Sequence, residues 1–453
     1  MAQGKNFSIC LIFVAIFFMA DTVSASGDSP EARTITISEG IRLVAKDSRL
    51  LKISFVDNDM AFADSLIARS ALLPQLNVSL KQSFLKFQPA SKLNDSNLPT
   101  AQRESLSYGF LVYQTLFDFG KTIANYRAAK ETFQAQKSAT ESVKKLAILE
   151  FITSYFDLLE SEKMIKVAEK EMESLIAYLN DVKHLVEQGA AIKNDFLPAQ
   201  VKLADSRKRL IVARNARNNL AARLNNILAL PIREKIAVKD VTMNIPVIPE
   251  FEDAWRTAQE QRPEIAVISD KLKAVDFSVK AKKANSYPTI YAQGGYAYTE
   301  NKFQTHQDNL NINLGANIDL FDGGLTQAEV YKERSIQRGL KEQGLKLAED
   351  IKLEIEDSYL GLKDAKEKTL VAKDALRQAA ENVRVMRAKY ADGAATPTDV
   401  LEAIVLETSA QTNYYNAEYE IKRNYTKLLY SMGIDLSLVY DTMGQNENES
   451  QGK

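Results

Sequence analysis

The chain has 453 residues but only one cysteine and two histidines, and each scarcity removes a class of function. Cys10 lies inside the apolar run 9–20 and lacks the small-residue context of a lipoprotein cleavage site, so it counts only as a hydrophobe. Lys5 precedes that run and Val23-Ser24-Ala25 follows it, the layout of a secretory leader over 1–25. A mature chain starting at Ser26 then has no thiol and no disulfide. His184 and His306 stand in different settings, so there is no metal cluster or Ser/His/Asp constellation to build. Glycine-rich phosphate loops are missing as well. Gly294-Gly295 falls in a strand-like stretch, where packing or a bulge explains it. No catalysis, cofactor or metal is expected. Charge of one sign is also lacking: 58 basic against 59 acidic residues, scattered along helical runs, argue against nucleic acid. No window beyond the leader reaches the roughly eighteen uninterrupted apolar residues of a membrane-spanning helix.

What is present is a duplication. Leu116-Phe117-Asp118-Phe119-Gly120 returns as Leu320-Phe321-Asp322-Gly323-Gly324, an offset of 204 (324 minus 120). Each copy closes an alternating apolar/polar stretch and opens a helix-patterned run. Phe117, Asp118 and Gly120, like Phe321, Asp322 and Gly324, therefore mark a strand-to-helix switch where glycine turns the chain. The offset holds onward, from Gly189 to Gly393, Asp195 to Asp399 and Leu224 to Leu428. Upstream it becomes 214, Pro74 pairing with Pro288, so the first copy carries ten extra residues. The first repeat is drawn over 26–248, with strands at about 74–87 and 105–117 and a helix at about 121–188. The second covers 249–435, with strands at about 288–300 and 309–321 and a helix at about 325–390. Residues 36–69 read as one helix, 88–104 as a loop, 436–453 as an equatorial segment with a tail, and 446–453 as disordered.

Leu76, Val78, Leu80 and Phe84 alternate with Asn77, Ser79, Lys81 and Ser83. Leu310, Ile312, Leu314 and Ala316 alternate as cleanly with Asn311, Asn313 and Asn317. Strands of about ten residues with one apolar face suit a tilted membrane barrel, although a soluble sandwich alternates in the same way. Four strands cannot close a barrel, since roughly eight is the minimum. The helices discriminate. Residues 121–188 contain neither proline nor glycine and would run ~100 Å at ~1.5 Å per residue, too long for an ordinary globular domain. Within them Ala168, Met172, Leu175, Leu179, Val182 and Val186 keep coiled-coil spacing. Half-length helices at about 36–69, 196–228, 251–284 and 399–432 would stack end to end beside the long ones, with 229–250 and 433 onward forming a belt.

Leader, duplicated units, Phe-Asp-x-Gly switches, Gln261-Arg262-Pro263-Glu264-Ile265, and Tyr390-Ala391-Asp392-Gly393 followed by Asp399-Val400-Leu401-Glu402-Ala403 together resemble the TolC-type outer-membrane efflux protein family. The resemblance covers essentially the whole mature chain. Ser48-Arg49, where the first copy would carry the second copy's Arg-Pro, departs from it. It implies a mainly α fold with a small β part. In that fold a homotrimer forms a 12-stranded transmembrane barrel, four strands per subunit, continuous with a long periplasmic α-helical barrel. It further implies a passive duct of a tripartite efflux or type I secretion system, in outer-membrane lipid. The partners would be a periplasmic adaptor protein and an inner-membrane transporter of RND or ABC type. A structural trimeric tether or adhesin is the alternative. By the same resemblance Gly189, Ala190, Ala191, Gly393, Ala394 and Ala395 are adaptor-docking tips, although glycine helix ends explain them equally. Asp195 and Tyr390 fall where the family latches its tunnel shut, with Ala395 in place of the partner arginine. Asp195 also suits a helix start. Asp399 and Glu402 share a helix face and would ring the entrance with carboxylates. Thr396-Pro397-Thr398-Asp399 is also a capping box by pattern.

Overall fold

A computed structural model describes residues 33–188, 193–241, 243, 245 and 249–442, without the side chains of 193–195. The leader expected at 1–25 and the tail at 446–453 lie outside the described residues. In chain order the elements are β1 (Arg33–Ile35), α1 (Ile37–Asp47), α2 (Arg49–Ser70), β2 (Gln75–Phe84), β3 (Ala90–Leu93), β4 (Ser96–Pro99), β5 (Glu104–Phe117), α3 (Lys121–Glu187) and α4 (Lys193–Ile227). They continue with β6 (Ile236–Val238), α5 (Phe251–Gln261), α6 (Pro263–Ala284), β7 (Thr289–Thr299), β8 (Asp308–Asn317), α7 (Leu325–Ala391) and α8 (Pro397–Ser431).

The two copies match residue for residue in helix length. α1 and α5 have 11 residues, α2 and α6 22, α3 and α7 67, and α4 and α8 35. The stretch 36–69 is therefore not one helix. It breaks at Ser48, which is extended at φ −52, ψ 127, in register with the break at Arg262 before Pro263. Proline has no N–H and pushes the residue before it into extended backbone, which explains the second break. The first has no proline, and packing sets it. Ile37, Gly40, Ile41 and Val44 turn α1's apolar stripe onto α3, while α2 continues along the wall. Gly40 is required by that contact, because a Cβ there would lie 1.9 Å from the Phe151 ring.

Midway along the long helices lies the larger core, built on Phe151, Ile152, Tyr155 and Phe156 of α3 with Ile351 and Ile355 of α7 and Tyr419 and Leu428 of α8. The parallel pair β1–β6 belongs to it, and the Tyr155 hydroxyl donates to the Ile35 (3.0 Å) and Lys239 (2.6 Å) carbonyls. Leu436 and Tyr440 of the C-terminal segment are buried in the same core. The Arg262 motif has a physical role here. The side chain is buried against the Tyr430 ring, donates to the Tyr430 carbonyl at 3.2 Å and pairs with Glu354 of α7. Lys145 of α3 donates to the Gln261 (3.0 Å) and Gly433 (2.7 Å) carbonyls beside it. Desolvation pushes the Glu354 carboxyl up, with Arg262 opposing.

At one end of the helices four antiparallel strands form one sheet in the order β2-β5-β7-β8, so β2 and β8 are open edges. The register Leu80↔Tyr108↔Tyr298 and Val78↔Phe110↔Tyr296↔Leu310 keeps the apolar residues on one face. Asn77, Leu111, Gly295 and Asn311 lie in register on the other. The stretch 88–104 is more than a loop. β3 and β4 extend the β2–β5 hairpin to a two-residue turn at Asn94-Asp95, with Asn94 at φ +51, the left-handed geometry such turns need and asparagine tolerates.

Candidate functional site

The two ends of the 67-residue helices carry the residues singled out above. At the strand end, Gly120 (φ +85) and Gly324 (φ +89) cap α3 and α7 in the left-handed region. The first amides of a helix lack intrahelical acceptors, and a glycine cap offers no side chain to supply one. The aspartate two residues earlier does. Asp118 accepts from the Thr122 amide at 2.8 Å and from its hydroxyl. Asp322 accepts from the Gly324 (2.9 Å) and Thr326 (2.8 Å) amides. Bonds from the Thr326 hydroxyl and then its amide hold the Asp322 carboxyl below the usual range. The operative motif is thus Phe-Asp-x-Gly-x-Thr. Thr122 and Thr326 were legible, being identical at offset 204, but were not singled out. The x residue differs between copies. Gly323 is at φ +66, whereas Phe119 holds φ +54 with its ring 4.8 Å from both Phe117 and Tyr287. Phe117 and Phe321 are exposed.

At the far end, α7 closes in a Schellman motif. The Gly393 amide (φ +70) bonds the Tyr390 carbonyl at 3.0 Å and the Ala394 amide the Lys389 carbonyl at 2.8 Å. Three residues later α8 opens on a complete capping box. The Asp399 carboxylate accepts from the Thr396 amide and hydroxyl at 2.7 Å each, and the Asp399 amide donates back to the Thr396 hydroxyl at 3.3 Å. The Thr396 hydroxyl and then its amide hold the Asp399 carboxyl low. Glu402, one turn on, is exposed, as is Ala394, and Ala395 is half-buried. Among the described residues Glu402 has no ion-pair partner. Gly189, Ala190 and Ala191, and the Asp195 side chain, lie outside the described residues.

Tyr390 packs its ring 5.6 Å from Tyr178 of α3, whose hydroxyl donates to the Pro397 carbonyl at 3.1 Å. Arg387, one turn before Tyr390, donates to the Ser174 carbonyl at 3.4 Å. Tyr178 and Arg387 therefore tie α3 to the α7–α8 turn. Neither was read from the sequence, because neither has a counterpart in the other repeat: Asn382 aligns with Tyr178, and Lys183 with Arg387. Beneath them lies a second core of Leu175, Tyr178, Val182, Leu203, Val400 and Ile404. The structure thus gathers Tyr390, Gly393, Ala394, Ala395, Asp399 and Glu402 at one end. It sets the Asp118 and Asp322 switches ~100 Å away at the other.

Compared with known proteins, the chain matches the family model described as outer membrane efflux protein over residues 41–230 and 255–434. It is 22% identical over 403 residues to outer membrane protein TolC of Vibrio cholerae serotype O1, covering 85% of this chain and 88% of that one. Its fold resembles the crystal structure of CusC at a TM-score of 0.78 and 17% identity, over 88% of this chain and 92% of that. It also resembles the Campylobacter jejuni CmeC outer membrane channel at 0.77 and 17%, over 90% and 89%.

Proposed function

The chain belongs to the outer membrane efflux protein family and is an outer-membrane efflux channel. From that premise we propose that it works as a homotrimer, passively conducting substrate that a periplasmic adaptor and an inner-membrane transporter deliver. The observation that carries this is a pair of unpartnered seams with coiled-coil spacing. Ile53, Met60 and Ile67 recur every seven residues along α2, and Leu353 and Leu360 are seven apart on α7, all of them exposed. α2 and α7 flank the protomer's helical wall, as the open edges β2 and β8 flank its sheet. Burying these seams and pairing these edges between copies closes both layers at once, and a sheet in lipid requires closure. A tether needs neither the duplication nor the antiparallel half-helices.

At the far end, Gly393, Ala394 and Ala395, with Gly189, Ala190 and Ala191, are the adaptor-docking turns of this reading. Asp195 and Tyr390 form the latch. Asp399 and Glu402 form the acidic entrance, Asp399 serving the helix cap as well. Small residues there admit a second hairpin closely. Carboxylates crowded around one axis attract cations.

Native mass spectrometry in detergent and planar-bilayer recording test the core of the proposal. Trimers that give discrete conductance steps are expected. A monomer, or a trimer that never conducts, ends it. Asp399→Ala/Glu402→Ala channels with undiminished cation preference remove the entrance ring alone.

A further inference from the structure

We propose that Lys81 makes the outer exit of this channel an anion-attracting ring, set in a lumen otherwise lined by uncharged groups. The inference rests on the trimeric barrel reading above and follows from strand register. In lipid the apolar face of Leu80, Phe110 and Ile312 turns outward, so the opposite face lines the lumen. On that face β8 presents Asn309, Asn311, Asn313 and Asn317, amides on every inward position but Gly315. β5 and β7 add serines, glycines, Gln293 and the stacked pair Tyr113–Tyr291 at 5.4 Å.

Lys81 shares this face with Asn77 and Ser79 and is exposed; on its level the other strands carry Ser107 and Thr299. The acids of the strands, Glu104 and Asp308, pair with Phe84 and Tyr298 and so belong to the outward set. Among the residues of β2, β5, β7 and β8, Lys81 is the one charged side chain with inward register, and no ion pair engages it. It stands near the hairpin end of β2, away from the helices, so three copies place three ammonium groups toward the exit. Low-dielectric walls focus such a field, no carboxylate among the sheet's strand residues lies on that face, and Glu300 just beyond β7 is engaged with the Leu106 amide at 3.3 Å. The entrance acids lie farther away than a Debye length of ~10 Å at 0.1 M salt.

The ligand class is a small multivalent anion, and the test uses inorganic tripolyphosphate with wild-type, Lys81→Arg, Lys81→Gln and Lys81→Glu trimers in planar bilayers. In a salt gradient, Lys81→Gln is expected to raise the cation-to-anion permeability ratio on the order of sevenfold, since a potential change of about 1 kT favours the cation and disfavours the anion by the same factor. Lys81→Glu should raise it further, and Lys81→Arg should match wild type. Tripolyphosphate added on the extracellular side should block wild type and Lys81→Arg but not Lys81→Gln, and the block should fade at 1 M salt. Trimers of Lys81→Gln with wild-type reversal potential and block overturn the proposal while leaving the barrel reading intact. Wild-type protein that neither trimerises nor conducts overturns the barrel reading, and the ring falls with it.

Discussion

Asp118 and Asp322 each sit two positions ahead of a glycine cap and do the accepting that the glycine cannot. That division of labour lets the backbone take a left-handed turn and still satisfy the first amides of a 67-residue helix. It also has a pH signature. The folded Asp322 carboxyl is held below its ordinary value, so its contribution is present above the unfolded carboxylate value of ~3.9 and is lost as pH falls through the lower folded value. The thermal midpoint of Asp322→Asn should therefore lie below wild type at pH 7, and the gap should be smaller at about pH 3, which is already below the unfolded value. A gap of the same size at both pH values would refute this account. The pattern Phe-Asp-x-Gly was legible because both copies spell it. Phe119 was not legible as a left-handed residue, because only the rings of Phe117 and Tyr287 beside it hold a φ that Gly323 adopts freely.

Between elements, legibility followed periodicity. α3's Ala168, Leu175 and Val182 are buried, and Met172, Leu179 and Val186 pack half-buried beside them, as their alternating spacing required. The α7–α8 seam was harder to see. It is made of Ala365, Ala372 and Ala379 with Ala403, Ala410 and Ala417, each set seven apart, and alanine hardly registers as an apolar stripe. Small side chains let these two helices run close together, beside a groove of about 880 Å³ lined partly by Ala372, Ala379 and Ala410. The break at Ser48 was invisible for the opposite reason, since tertiary packing imposes it with no proline to announce it. The β3–β4 hairpin belongs to the first repeat alone; in the second, β7 and β8 are joined without one. Replacing 88–101 by a two-residue Asn-Gly turn is thus expected to leave trimer yield and single-channel conductance unchanged, which bilayer recording would check. Loss of insertion would instead assign the hairpin a part in barrel assembly.

For the whole molecule, the register of the sheet decides which side meets lipid, and two neighbouring positions separate the faces. Ile312→Arg places a cation on the apolar face, at a cost of ~2–4 kcal/mol near the bilayer midplane, whereas Asn313→Arg points into the lumen and should insert normally. Membrane fractionation would distinguish them, and normal insertion of Ile312→Arg with failure of Asn313→Arg would mean the faces have been assigned the wrong way round. The shape is also a measuring rod. α3 and α7 are equal to the residue, and so is each pair of shorter helices beside them. One added heptad would lengthen a single line by about 10 Å and shear it against its neighbours. On the duct reading proposed above, its reach is therefore set by two equal helices at once, and a change of length in one repeat would need the same change in the other.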